Sequence, residues 1–150
     1  MYQTPIAEKA DVIITSCGGY PKDMSLYQGT KTIDNVEFGL KKGGTLVLLA
    51  ECRDGGGPAE YFDWVDSLCA GTLDADLRKN FTIPGYIFYL NCEQAARYNI
   101  LMLTTAPAGP LARMGIKAFT DPAELCRQLE LAGKLVYVIP NGSTVIPAVK

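Results

Sequence analysis

Tyr27, Gln28 and Lys31 are the residues whose types and spacing best suit the binding of a small anion. They belong to the segment Asp11 to Lys31, DVIITSCGGYPKDMSLYQGTK, which is typical of a buried strand, a glycine turn and the start of a helix. At about 100° per residue, their side chains share a helix face that points away from the core. Unpaired amides and a lysine at a helix N-terminus suit a carboxylate or phosphate. On spacing alone, an ordinary solvated helix face explains these residues more simply.

The elements that position this face can be read from the same segment. The apolar run from Val12 to Ile14 is typical of a parallel strand covered on both faces. Two glycines at 18–19 permit a tight turn, and Asp23 or Ser25 can cap the helix that follows. We expect that helix to continue to Lys41 and Lys42 and to end at the glycines 43–44.

Strands and helices alternate along the rest of the chain. This alternation predicts an α/β fold with a mostly parallel five-stranded sheet in three layers, helix–sheet–helix, similar to a Rossmann fold. Asn141-Gly142 is a turn signal, so 144–146 could fold back as a short edge strand. Further strands are predicted at 45–50, 99–105, 116–119 and 135–139, and helices at 59–68, 73–80, 86–98, 108–114 and 122–132.

Composition limits the function. The chain has 150 residues, enough for one domain with its own core, and 14 basic against 16 acidic residues without a basic block, which argues against nucleic-acid binding. Its apolar runs are too short to span a membrane. Five scattered cysteines indicate a reducing, cytoplasmic location, and Cys17 and Cys52 could meet at one sheet edge, although small packing residues explain them better. With no histidine and no CxxC pair, the residues of the chain are poorly suited to bind a metal ion. The lack of histidine also rules out a Ser-His-Asp or Cys-His catalytic arrangement.

The loop ECRDGGGP, which begins at Glu51, follows the second predicted strand of the sheet. Its glycines do not fit the GxGxxG pattern, and no P-loop lysine follows them, so we interpret the loop as shaped rather than nucleotide-binding. Arg53 and Asp54 could reach a neighbouring domain from this loop, or could simply lie at a solvated tip. A carboxylate pair formed by Asp54 with Glu60 or Asp63 is better explained by solvation.

Three segments carry a family resemblance: GGYPKDMSLYQGTK, GGTLVLLAECRDGGG and YVIPNGSTVIPAVK. With them the chain resembles the C-terminal domain of the nickel-pincer lactate racemase family over nearly its whole length. The resemblance implies that Tyr27, Gln28 and Lys31 contact the carboxylate and hydroxyl of a 2-hydroxy acid substrate. It also makes Tyr20 a candidate residue of the interdomain cleft, together with Arg53 and Asp54 and, more weakly, Tyr86 and Tyr89.

The resemblance also implies a division of labour between two domains. The nickel-pincer nucleotide, its lysine attachment and two proton-exchanging histidines belong to an N-terminal domain, so we expect this chain to be the substrate-clamping half and to bind no cofactor alone. The family reaction removes hydride from C2 while a histidine takes the hydroxyl proton, and the planar keto acid is then reduced from either face. No residue of this chain is expected to be catalytic.

Two hypotheses remain. The first is the C-terminal domain of a nickel-dependent racemase or epimerase of lactate or another 2-hydroxy acid. The second is a stand-alone anion- or nucleotide-binding α/β module without catalysis. An upstream reading frame that encodes a histidine-containing domain would favour the first hypothesis, and a true start codon at Met1 would favour the second.

Overall fold

The structure, a computed structural model, describes residues 2–150. Seven β-strands lie in this part of the chain and form a five-stranded and a two-stranded sheet. Their bounds are β1 Tyr2–Ile6, β2 Ala10–Ser16, β3 Leu40–Leu49, β4 Asn99–Leu103, β5 Lys117–Phe119, β6 Val136–Ile139 and β7 Val145–Val149.

The five-stranded sheet has the order β5-β4-β3-β2-β6, and all its neighbouring strands are parallel. Its register places Ile13 beside Leu46 and Leu46 beside Ile100, and all three side chains are fully buried. This confirms the predicted parallel sheet, because continuous apolar runs are what strands covered on both faces require.

Six α-helices connect these strands. They are α1 Leu26–Val36, α2 Val65–Cys69, α3 Leu73–Lys79, α4 Ile83–Arg97, α5 Ala108–Arg113 and α6 Pro122–Arg127, with 3₁₀ turns at Glu37–Gly39 and Ala59–Trp64. Among residues 2–150, no helix is both long enough and apolar enough to cross a membrane.

The helices cover the two faces of the sheet unequally. On one face, Ile33 of α1, Phe88 of α4 and Leu111 of α5 belong to the main core cluster. On the other face, Leu125 of the short helix α6 packs with Val47 and Leu101. The predicted helix–sheet–helix layering is therefore correct, with a thick layer on one side and a thin layer on the other.

The C-terminal strand pairs differently from our expectation. β7 does not fold back as an edge strand of the main sheet; it pairs in parallel with β1, with Tyr2 opposite Val145 and Ile6 opposite Val149. A tight hairpin would make an antiparallel pair. Here the turn after Asn141 instead directs the chain across the end of α1, where Gly39 packs so closely that an added Cβ would lie 2.7 Å from the ring of Pro147.

Three predicted helix boundaries are wrong. α1 ends at Val36 and passes through a 3₁₀ turn, so Lys41 to Gly44 begin β3 instead of ending the helix. α6 ends at Arg127 rather than at Ala132, and i→i+3 hydrogen bonds tighten its last turn near Arg127. α4 begins at Ile83 because Pro84 lies in its first turn, where its missing N–H costs nothing.

A buried polar network joins α1 to α4. Asn91, which is fully buried, accepts hydrogen bonds from Thr30 Oγ1 at 2.9 Å and from Tyr61 Oη at 2.5 Å. Its amide nitrogen donates to Gln94 Oε1 at 3.0 Å, and Gln94 in turn donates to Asp34 at 2.6 Å. The network fixes α1 against α4 because each buried polar group would lose its partner if the helices slid apart.

Replacing Tyr61 by Phe tests this network. The variant removes one hydrogen bond to the buried Asn91 without creating a cavity, so we expect the free energy of unfolding to fall by about 1 kcal/mol. Urea unfolding followed by circular dichroism measures the change. Tyr86→Phe is the matched control because Tyr86 is exposed, and it should stay within about 0.5 kcal/mol of wild type. Equal effects of the two variants would contradict the role given to Tyr61.

Asp34 predicts a pH dependence of stability. Burial raises the pKa of its carboxyl above the ordinary value of 3.8, against the opposing effects of the Gln94 hydrogen bond and the Arg97 charge. The native state therefore holds the proton more tightly than the unfolded chain does. As the pH rises and Asp34 ionises, the free energy of unfolding falls. Asp34→Asn keeps an oxygen acceptor for Gln94 and removes the ionisation.

The stability of Asp34→Asn relative to wild type should consequently increase as the pH rises above about 4, where an aspartate of the unfolded chain ionises. Urea unfolding at several pH values measures this difference. The Asp34 charge also raises the pKa of Glu37, so its removal in Asp34→Asn acts in the same direction. A difference that is independent of pH, or that shrinks as the pH rises, would contradict a raised pKa of Asp34 in the native state.

Candidate functional site

The loops that follow β2 and β3 are joined by backbone hydrogen bonds. The chain between Asp23 and Tyr27, which leads into α1, runs beside the glycine loop, defined here as Cys52 to Gly57. Four hydrogen bonds join them: Cys52 N to Asp23 O (2.8 Å), Asp54 N to Met24 O (2.9 Å), Leu26 N to Gly55 O (3.0 Å) and Tyr27 N to Gly56 O (3.1 Å). The glycine loop thereby holds the first turn of α1 in place.

Glycine is required where this loop passes α1. Gly57 has a φ of +106°, and an added Cβ would lie 2.9 Å from Ser25 Oγ and 3.1 Å from Tyr27 Cβ. A side chain at Gly57 would therefore push the loop away from the helix and strain the backbone. Gly56 is constrained from a different side, since an added Cβ there would lie 2.5 Å from the Tyr61 ring. Both close approaches agree with the interpretation of ECRDGGGP as a shaped loop.

The first-turn amides of α1 are all used within the chain. Leu26 and Tyr27 donate to the glycine loop, while Gln28 and Gly29 donate to Ser25, the N-cap residue. The expectation that exposed helix amides help to bind an anion is therefore wrong, because the glycine loop and Ser25 already occupy them. An anion beside this helix must be bound by side chains.

Gln28 and Lys31 form such a side-chain site. Lys31 Nζ donates to Gln28 Oε1 at 3.3 Å, and both side chains line a shallow concavity of about 220 Å³, which we call the lysine concavity. Its remaining lining residues are Lys22, Ser143 and Thr144. Two ammonium groups, an amide and two hydroxyl groups with no carboxylate among them make a site suited to a small anion.

Tyr27 departs from the predicted common face. It is partly buried against the core and lies beside Gly57, and it does not line the lysine concavity. The helical wheel correctly groups Gln28 with Lys31, but it misses the glycine loop, which covers one side of the helix. Tyr27 therefore lies on the side of α1 that faces the glycine loop.

Lys22, Ser143 and Thr144 were not singled out from the sequence. The loop after β6 reaches the site because Gly142 N donates to Ser16 O and Ser143 Oγ donates to Cys17 O, both at 2.9 Å. The carboxyl ends of parallel strands meet at one edge of a sheet. The position of this loop directly after a predicted strand is therefore the sequence signal that could have placed it at the site.

Two of the candidate cleft residues are in contact. The Arg53 guanidinium carbon lies 4.4 Å from the centroid of the Tyr20 ring, and both side chains are exposed, as is Asp54 at the same loop tip. Tyr86 and Tyr89 lie on α4, where Tyr86 is exposed and Tyr89 is partly buried against the core. The structure gives no contact between these two tyrosines and the lysine concavity.

A larger crevice of about 340 Å³ opens at the same edge of the sheet, outside the ends of β2, β3, β4 and β5. Asp23 and Glu51 supply its two carboxyl groups, and Ser16 and three threonines supply hydroxyl groups. No lysine or arginine lines this crevice. Since its only charged groups are acidic, this crevice suits an anion less well than the smaller lysine concavity does.

The thiols at this edge are not poised for chemistry or metal binding. Cys17 and Cys52 are free and buried, and burial raises the pKa of both, that of Cys52 to about 12. Both thiols lie in the main core cluster, which agrees with their interpretation as small packing residues. Within residues 2–150, no group of three or more histidine, cysteine or acidic side chains could hold a metal ion.

Known proteins with similar sequences point to one family. The family profile described as lactate racemase C-terminal domain matches residues 6–147. The lactate racemase of Thermoanaerobacterium thermosaccharolyticum is 43% identical over 58 residues, which are 39% of this chain and 14% of that protein. The lactate racemase of Lactiplantibacillus plantarum is 40% identical over 57 residues, 37% of this chain and 13% of that protein.

Solved structures agree with this assignment. The lactate racemase apoprotein from T. thermosaccharolyticum superposes on 95% of this chain with a TM-score of 0.80 and 26% identity, and the chain covers 36% of that structure. A Thermotoga maritima protein superposes on the whole chain with a TM-score of 0.63, but at 10% identity it supports the fold alone. The chain spans little more than a third of the racemase structure that it matches. With nearly all of its length matched by the family profile, this chain belongs to the lactate racemase C-terminal domain family.

Proposed function

We propose that this chain is the C-terminal, substrate-binding domain of a nickel-dependent racemase or epimerase that acts on lactate or another 2-hydroxy acid. The observation that carries the proposal is the pair Gln28 and Lys31 at the start of α1, in contact with each other and open to solvent in the lysine concavity. Membership of the lactate racemase C-terminal domain family supplies the reaction class.

In this proposal, Lys31 binds the substrate carboxylate. Its ammonium group forms no ion pair with another residue of the range 2–150, and its one polar side-chain partner there is Gln28. Gln28 Oε1 holds the ammonium group, which leaves the Gln28 amide N–H groups to donate to a carboxylate oxygen. Tyr27 contacts the substrate from the side of the glycine loop and restricts its rotation.

The residues of this chain do not fit a nickel site. The sequence contains no histidine, the buried thiols of Cys17 and Cys52 stay protonated because their pKa is raised, and the described residues contain no cluster of metal ligands. The nickel-pincer nucleotide is therefore proposed to bind to the N-terminal domain of the same protein. Tyr20, Arg53 and Asp54, exposed at the loop tips, are proposed to face that domain across the substrate cleft.

The second hypothesis, a stand-alone anion- or nucleotide-binding module, has less support. Its natural anion site would be the N-terminus of α1, where the amides are occupied by the glycine loop and by Ser25. The lysine concavity, at about 220 Å³, is smaller than the roughly 300–1,000 Å³ typical of ligand pockets. A small acid enclosed by a second domain fits it better than a nucleotide. The cytoplasmic location predicted from five free cysteines remains part of our proposal.

The purified 150-residue chain should contain no stoichiometric nickel and should not racemise lactate. We expect this because the proposed cofactor site and the proton-exchanging histidines lie outside the chain. Elemental analysis after desalting measures the nickel, and chiral chromatography measures the two lactate enantiomers. One nickel ion per chain, or racemisation without added protein, would contradict this division of labour.

Lys31→Met tests the substrate site in the full-length protein. Losing a charge-assisted hydrogen bond to a carboxylate costs about 1.5–3 kcal/mol, so we expect kcat/KM for the 2-hydroxy acid to fall roughly ten- to hundredfold. Gln28→Ala should have a smaller effect, since the amide is uncharged. Because Lys31 is exposed, Lys31→Met should change the free energy of unfolding by no more than about 0.5 kcal/mol, which thermal melting measures.

Lys42→Met is the matched control, because Lys42 is an exposed lysine of β3 that does not line the lysine concavity. It should leave both the kinetics and the melting temperature unchanged. Unaltered kinetics for Lys31→Met would show that Lys31 does not bind the substrate and belongs to an ordinary solvated helix face. A large fall in its melting temperature would show that Lys31 has a structural role.

A further inference from the structure

Lys22 places a second positive charge in the lysine concavity. It comes from the turn between β2 and α1, whereas Gln28 and Lys31 come from the helix and Ser143 and Thr144 from the loop after β6. An added Cβ at Gly18 would overlap the Asn141 side chain and lie 3.7 Å from Lys22 Nζ. The ammonium group of Lys22 thus lies near Asn141, in the loop that follows β6.

Neither lysine of the concavity is neutralised by the chain itself. Within residues 2–150, no carboxylate lies within 4 Å of Lys22 or Lys31, and none lines the concavity. One carboxylate bound by Lys31 would leave the charge of Lys22 uncompensated. A ligand with two carboxylates would pair with both lysines, and enclosure by a second domain would strengthen the Coulombic attraction within each pair.

The two hydroxyl groups indicate what the rest of the ligand offers. Ser143 Oγ donates its proton to Cys17 O at 2.9 Å, and Thr144 Oγ1 donates to Asn141 O at 3.1 Å. Their oxygen lone pairs are therefore free to accept, and they suit a hydroxyl group of the ligand better than a carboxylate. Of the lining residues outside α1, Lys22 is then the one suited to bind a second carboxylate.

We propose that the substrate of this protein is a 2-hydroxy acid with a second carboxylate, and that Lys22 is the residue that selects for it. This inference rests on the proposed function, because it takes Lys31 and Gln28 as the binding site of the first carboxylate. The concavity of about 220 Å³ suits a short diacid rather than a larger anion.

The test compares malate, a hydroxy diacid, with lactate, a hydroxy monoacid. Each is titrated into the ¹⁵N-labelled 150-residue chain at low ionic strength while the backbone amide shifts are followed by NMR. Both acids should shift the amides of Gln28 and Lys31. Malate should bind about two- to fivefold more tightly, which is the effect of one additional exposed ion pair.

Three lysine variants separate selection by Lys22 from a general effect of charge. Lys22→Met should reduce the affinity for malate to that for lactate, whereas Lys22→Arg should keep the preference. Lys42→Met removes the same charge outside the concavity and should keep the preference as well. In the full-length protein, Lys22→Met should lower the ratio of kcat/KM for malate to that for lactate.

The possible outcomes distinguish this inference from the proposed function. Equal affinities of wild type for malate and lactate at Gln28 and Lys31, or a preference for malate that survives Lys22→Met, overturn the inference and leave the proposed site intact. If neither acid shifts the amides of Gln28 and Lys31, the assignment of the substrate site to this chain is overturned as well.

Discussion

The structure of the site depends on the backbone hydrogen bonds between the glycine loop and the start of α1. The carbonyl groups of Gly55 and Gly56 accept hydrogen bonds from the amides of Leu26 and Tyr27. In the opposite direction, the carbonyl groups of Asp23 and Met24 accept hydrogen bonds from amides of the glycine loop. Such pairing needs the two chains to approach closely, and Gly57 permits this because a side chain there would collide with Ser25 and Tyr27. The loop after β3 consequently determines where the residues after β2 lie.

This constraint decides how the domain can recognise an anion. A helix N-terminus is often an anion site because its first amides are free. Here those amides are occupied, so the positive charge must come from side chains such as Lys31. A mobile lysine would be a poor binding group, but Gln28 holds it at 3.3 Å, and the Asn91 network holds α1 against α4 on the opposite side. The polar core and the glycine loop together fix the helix that carries the site.

Much of the fold could be predicted from local sequence signals. The apolar runs of β2, β3 and β4 identify a parallel sheet. Ser25, one of the two cap candidates, is the N-cap of α1, and α6 begins at Pro122 as predicted. The end of α1 is mispredicted because Lys41 to Gly44 have the composition of a helix terminus. The helix instead stops at Val36, just before Gly39 packs against the distant Pro147. The pairing of β1 with β7 was missed for the same reason, since it joins the two ends of the chain.

The site was predictable only in part. Helical spacing grouped Gln28 with Lys31, because both lie on one helix and the wheel describes their directions well. The same wheel could not show that the glycine loop covers Tyr27, or that Lys22, Ser143 and Thr144 reach the same concavity, since these depend on how three loops meet at the sheet edge. The two carboxyl groups of Asp23 and Glu51 likewise define a separate acidic crevice only after folding.

The most direct test of this account is a crystal structure of the full-length protein with a bound 2-hydroxy acid. We predict that a substrate carboxylate oxygen lies about 2.7–2.9 Å from Lys31 Nζ, the usual length of such a charged hydrogen bond. The amides of Leu26 and Tyr27 should remain bonded to Gly55 and Gly56. A carboxylate bound instead by those amides, or a substrate bound in the crevice of Asp23 and Glu51, would contradict it.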